Sequence, residues 1–217
     1  MGQAGREQII RDIIRLEERV ARCRRCTELS ACAYKPSFGK GDLSPDLLLV
    51  FECNNIFYND ENRLISFRNL FKEYFATDKV YHTFMVRCQP KACPIRHSIS
   101  CFGQDKILNA QQQCSINSQL CTGTIIRPNI YEMLNCFAFL WEEIRVLQPR
   151  AVISFGEQVS HLLLKAAGVY ENSADVELFE YEDITYLMTQ YERDFPEEEV
   201  IRLSQMFALQ HENVVGQ

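Results

Sequence analysis

The chain has 217 residues, of which 47% are hydrophobic and 24% charged, which places it in the globular range and makes it long enough for one substantial core. No apolar run approaches the roughly 20 residues that a membrane span needs. The first dozen residues carry no apolar signal core, and Arg6 stands where a myristoylation motif needs Ser or Thr, so a cytoplasmic location and no membrane contact are expected.

The net charge of −6 argues against a generally basic nucleic-acid binder, but the charge is unevenly spread. Residues 1–100 hold 16 basic and 12 acidic side chains, whereas residues 101–217 hold 7 and 17. The basic half is therefore the expected surface for phosphates. Ten cysteines in a reduced compartment point to metal or cluster ligation for at least some of them rather than to a disulfide framework.

In chain order, the apolar positions from Arg6 to Cys23 recur at helical spacing with Arg11, Arg15, Arg19 and Arg22 between them, predicting an amphipathic helix. Short apolar runs at Leu47–Phe51, Val80–Val86 and Ala151–Phe155 predict buried parallel strands. Helical patterns lie between and after them, at Leu64–Phe75, Tyr131–Leu147 and Glu157–Ala167. A strand is predicted near Thr185–Thr189 and a final helix from Glu197 to Gln210. The alternation implies one α/β domain over residues 1–217, a three-layer sandwich with a mostly parallel sheet. Residues 91–126 read as an inserted segment, and the acidic stretch Glu171–Asp183 as a connecting loop.

Cys23 and Cys26 form a CxxC pair at the end of the first helix. Two sulfurs so spaced can converge on one metal centre, and the same spacing serves zinc, iron–sulfur and redox chemistry. The pair belongs to a CxxCxxL run, Cys23–Leu29, and three further motifs follow in order: strand-Cys-x-Pro at Cys88–Pro90, ExxxC at Glu132–Cys136, and LxPxxxxxxG at Leu147–Gly156. In this set the chain resembles the iron–sulfur uracil-DNA glycosylases over most of residues 14–168. The resemblance implies a uracil-DNA glycosylase-like fold and a [4Fe–4S] cluster held by Cys23, Cys26, Cys88 and Cys136.

The segment between the last two of these cysteines carries Cys93, Cys101, Cys114 and Cys121. They open the alternative of an additional zinc ion beside that of a loop of reduced thiols.

At the positions that the resemblance makes catalytic, the sequence departs. The family's Gly-Glu-Ala-Pro-Gly type loop stands here as Phe51-Glu52-Cys53-Asn54-Asn55, and only Glu52 is retained. Alignment on Cys88 puts Phe84 where the family has a uracil-reading asparagine, and Tyr191 falls near its histidine. A base pocket built on Phe51, Asn54, Asn55, Phe84 and Tyr191 would lack the polar readout of uracil. Glu52 is the one candidate general base, and a carboxylate at a strand end is also commonly a cap or half of an ion pair.

The expected function is thus that of an iron–sulfur protein which binds DNA, single-stranded DNA included, and lacks uracil excision. Arg22, Arg24, Arg25, Lys35 and Lys40 would meet phosphates, with Tyr34 and Phe38 stacking on bases. Two alternatives stay open: an active DNA glycosylase of altered base specificity, and a protein–protein adaptor working through the insertion or the acidic segment.

Overall fold

The computed structural model describes residues 3–26, 36–54, 61–88, 91–92, 113–114, 118–120, 124–170 and 176–215. Helix α1 (Gln3–Ala21) leads to strands β1 (Lys40–Gly41) and β2 (Leu47–Cys53), then helix α2 (Glu61–Tyr74) and strand β3 (Val80–Val86). Two short strands, β4 (Lys91–Ala92) and β5 (Thr124–Ile125), precede helix α3 (Ile130–Leu147), strand β6 (Ala151–Phe155) and helix α4 (Glu157–Ala166). Strands β7 (Leu178–Tyr181) and β8 (Ile184–Thr189), a 3-10 turn at Glu192–Asp194 and helix α5 (Glu197–Val215) complete the chain.

The main sheet has the order β1-β3-β2-β6-β8-β7. Its inner strands β3, β2, β6 and β8 are all parallel, and β1 and β7 pair antiparallel at the edges. Every residue of β2, β3 and β6 is buried, as expected of parallel strands covered on both faces. One core joins Ile13, Leu16 and Val20 of α1, Met133, Leu140 and Ile144 of α3, and Val159 and Leu163 of α4 to Leu48, Val50 and Met85 of the sheet. The other joins Phe71 of α2 and Val200 and Leu203 of α5 to Leu49, Phe51 and Phe84. The fold is α/β with helices on both faces of a mixed six-stranded sheet.

One expectation changes. The acidic stretch expected to be a connecting loop contains a strand: Leu178–Tyr181 pairs with β8, with Leu178 opposite Leu187 and Tyr181 opposite Ile184. Its four residues alternate too briefly for a period-2 signal to stand out, and Glu182-Asp183 supplies the hairpin turn at positive φ without the glycine that would have marked it. The segment 91–126 is bounded by a ribbon, Lys91 opposite Ile125 and Ala92 opposite Thr124, so it leaves and rejoins the domain at one place.

Helix α3 begins with a capping box. Asn129 accepts a hydrogen bond from the Glu132 backbone N–H at 3.0 Å, and Glu132 accepts one from the Asn129 N–H at 2.8 Å. The glutamate of the ExxxC motif is thereby a helix cap, and it fixes the turn that carries Cys136.

A buried polar network ties β3 to α3. Arg87 pairs with Glu143, and Glu143 also accepts from Thr83 Oγ1 at 2.6 Å and Tyr81 OH at 3.0 Å. Gly39 packs against this cluster so closely that a Cβ there would stand 2.4 Å from Tyr81 and 2.7 Å from Glu143. No larger residue fits beside the network.

Candidate functional site: a cysteine pocket and a strand-end crevice

Cys23 and Cys26 lie in the turn after α1, Cys88 just beyond the end of β3, and Cys136 in the first half of α3. All four line one pocket with Val20, Val86 and Phe139. The cysteines arrive from three separate elements because α1 packs along α3 while α3 packs on β3. Two donors reach the sulfurs: the Arg87 backbone N–H to Cys136 Sγ at 3.5 Å and Asn135 Nδ2 to Cys26 Sγ at 3.6 Å.

Burial and the neighbouring sulfurs hold Cys26, Cys88 and Cys136 in their neutral thiol form. Burial first, then the fields of Cys136, Cys26 and Cys23, push the Cys88 thiol up to about 12. Burial likewise pushes up Cys26 and Cys136, each with contributions from other members of the set. Such a group takes up negative charge only if something positive sits among the sulfurs. Arg24, Arg25 and Arg87 supply part of that field, each favouring the ionised form of Cys88 or Cys136. Among the described residues no three His, Cys, Asp or Glu side chains close around a position for a metal ion.

Of the residues expected to meet DNA, Arg22, Arg24 and Arg25 are exposed beside this pocket. Arg24 Nη1 donates to the Cys23 carbonyl at 2.8 Å. Arg25 Nη1 donates to the Asn135 carbonyl at 2.9 Å, and its guanidinium lies over Phe139 at 4.8 Å. Arg24 thus braces the cysteine turn internally, and Arg25 closes it against α3. Lys40 is exposed on β1, while Phe38 is half-buried against the core. Tyr34, Lys35, Asn55, Cys93, Cys101 and Cys121 lie outside the described residues. Cys114 is buried.

The second feature follows from topology. The chain passes from β2 to β3 on one side, then returns across β2 to place β6 on the other. In parallel sheets the crevice beyond the strand ends at such a reversal is where ligands bind. Here it holds Glu52 at the end of β2, Gly156 after β6, and Tyr191 and Glu192 after β8. Gly156 adopts φ 93°, a conformation suited to glycine, and a Cβ there would stand 3.7 Å from the Tyr191 ring.

Glu52 is fully buried, and both its oxygens are held by Arg127: Oε1 by Nη2 at 2.6 Å and Oε2 by Nε at 2.9 Å. The Arg127 guanidinium also covers the Tyr191 ring, 4.7 Å from its centroid. Glu192 is 2% exposed, and among the described residues neither of its carboxyl oxygens has a hydrogen-bond partner. Burial, with the Glu52 carboxylate adding to it, pushes the Glu192 carboxyl up to about 8, so at neutral pH it holds its proton.

Phe51 and Phe84 take a different place from the base pocket expected of them. Both are buried in the core beneath α2, where Phe51 stacks on Phe155 at 4.8 Å and lies 6.1 Å from Phe84. Successive residues of a strand face opposite sides, so Glu52 and Phe51 cannot share a pocket wall. Asn54 is engaged locally, its Nδ2 donating to Ser37 Oγ at 3.1 Å. Arg127, in the Arg127-Pro128 step of the resemblance, and Glu192, beside Tyr191, complete the crevice; the sequence places both near the site but gives neither a role.

Neither a protein-family model nor a curated protein matches the chain.

Proposed function

We propose that the chain is an iron–sulfur protein of uracil-DNA glycosylase-like architecture that binds DNA and does not excise uracil. The observation that carries the reading is the convergence of Cys23, Cys26, Cys88 and Cys136 on one pocket. A polynuclear centre suits this set better than one zinc ion, whose four sulfurs would all have to lie about 2.3 Å from a single point. When bound, a [4Fe–4S] cluster would supply a structural cross-link between α1, β3 and α3. The donors from Asn135 and the Arg87 backbone would orient its thiolates and tune them.

The absence of uracil excision rests on the crevice. Glu52 is fully buried with each oxygen bonded to Arg127, which commits the carboxylate to a structural ion pair rather than to the activation of a water. Phe84, at the position of the base-reading asparagine, is core. The exposed arginines beside the cysteine pocket favour an anionic polymer as partner.

The test is anaerobic purification with iron and sulfide analysis, together with an excision assay on uracil in single- and double-stranded DNA. Brown protein with about four irons per chain and no uracil release is expected. A colourless, folded, zinc-only protein would refute the cluster. Robust uracil release abolished by Glu52→Gln would establish an active glycosylase instead.

A further inference from the structure

The opposite edge of the sheet, where β6 and β8 begin, carries a cavity of about 470 Å³. It opens between the last turns of α3, the corner that follows them and the β7–β8 turn. Trp141, Ile144, Ile184 and the ring of Tyr186 give it an apolar lining, and four charged side chains stand around it: Arg145, Arg150, Glu182 and Asp183. Its volume falls within the usual range of small-molecule sites.

Two of the four charges satisfy each other. Arg145 bonds Glu182 at 3.1 Å and lies over the Trp141 ring, 5.8 Å from its centroid. The other two have no such partner: among the described residues neither Arg150 nor Asp183 enters an ion pair or a side-chain hydrogen bond. One cavity thus presents a guanidinium outside any ion pair, resting over the Phe207 ring 5.6 Å from its centroid, and, among the described residues, an unpaired carboxylate, both above an apolar floor.

The backbone around the cavity is held in the left-handed region at Gln148 (φ 44°), Glu182 (φ 50°) and Asp183 (φ 62°). A two-residue hairpin turn of this kind ordinarily carries Asn-Gly or Asp-Gly. Here both places are taken by acids, and strained positions of this sort gather at ligand sites.

We propose that this cavity binds a small zwitterion with an apolar side chain, an amino acid or a dipeptide. Its carboxylate meets Arg150, its ammonium meets Asp183 near the negative end of the α3 dipole, and its side chain lies against Trp141, Ile144 and Ile184. A simple anion would face the carboxylate of Asp183 and a simple cation the guanidinium of Arg150. Only a ligand with both charges leaves neither repelled.

Trp141 is the single tryptophan of the chain, so its fluorescence reports on this cavity alone. Full-length protein is titrated with leucine, phenylalanine and dileucine, and with N-acetyl-leucine and leucinamide, each of which lacks one charge. Calorimetry run in parallel detects binding that leaves the fluorescence unchanged. Saturable binding of a free amino acid or of dileucine is expected, the tighter of the two identifying the natural class. Each blocked derivative is expected to bind about tenfold more weakly or worse. Arg150→Gln should abolish the discrimination against leucinamide, and Asp183→Asn, which suits a left-handed turn, that against N-acetyl-leucine. No saturable binding of any zwitterion, or equal binding of the blocked derivatives, overturns the proposal whether or not the variants fold.

Discussion

Arg127 and Glu52 stand 75 positions apart in sequence and form a two-pronged ion pair in which the carboxylate is fully buried and the guanidinium is half exposed. The pair closes the end of β2 against the segment entering α3, and the Tyr191 ring supports the guanidinium from β8. Arg127→Leu strands a buried charge, so it should lower unfolding stability by about 2 kcal/mol or more. Glu52→Gln should cost less, because a neutral amide can still accept from the arginine. Urea denaturation of the two variants checks the order, and an Arg127→Leu protein as stable as the parent would remove the pair from its structural role.

Glu192 makes stability depend on pH in a set direction. Its ordinary value of 4.5 is raised to about 8 in the folded chain. Between those limits the unfolded chain gives up the proton while the folded chain keeps it, so this group's contribution to stability falls as pH rises and levels off above about 8. The charges that face it are Glu52 on β2, Arg127 before α3 and Arg63 on α2. Glu192→Gln should leave stability at pH 4.5 nearly unchanged and raise it at pH 9 by an amount on the order of a few kcal/mol. The decisive measurement is the difference between variant and parent across that range; a difference that does not grow with pH refutes the assignment.

Cys23→Ala, Cys26→Ala, Cys88→Ala and Cys136→Ala should each bleach the protein and loosen the packing of α1 on α3, read by visible absorbance and by thermal unfolding. Replacing Cys93, Cys101, Cys114 and Cys121 together should leave the absorbance intact. Loss of colour in that fourfold variant would transfer cluster ligation to the 91–126 segment.

Binding to DNA should weaken as salt rises, and neutralising Arg22, Arg24 and Arg25 together should reduce the slope of log affinity against log salt by about 2–3. Because Arg24 and Arg25 also bond the cysteine turn, the iron content of the triple variant needs to be measured alongside. Unchanged affinity and slope would move the contact surface elsewhere.

The strands were legible wherever burial on both faces leaves an unbroken apolar run: Val80–Val86 and Ala151–Phe155 begin and end where the residues say. Of the pocket cysteines, spacing marks only Cys23 and Cys26; Cys88 and Cys136 are legible through the family resemblance. What stayed hidden is the pairing of charges. Glu143, Arg87, Glu52 and Glu192 are charged residues in a chain whose charges are read as solvated by default, yet all four are buried. Their partners, where they have them, are 56 and 75 positions away, and no local period links such positions. Alignment puts Phe51 and Phe84 at positions along a strand and says nothing of the face on which each ring lies, which is why their place in the core is not legible.

The strand order also governs how the chain comes off the ribosome. Strand β2 lies in the middle of the finished sheet, but its neighbour β6 begins 98 residues after β2 ends. At ordinary rates of synthesis that gap lasts about 5–20 s. Once β3 has emerged, and until β6 follows, a strand that is apolar but for Glu52 has one side hydrogen-bonded to β3 and the other side open, the arrangement most prone to pairing with another nascent copy. The length of the 91–126 segment therefore sets a window of vulnerability during translation, and shortening it should improve the yield of soluble protein even where it leaves the folded molecule unchanged.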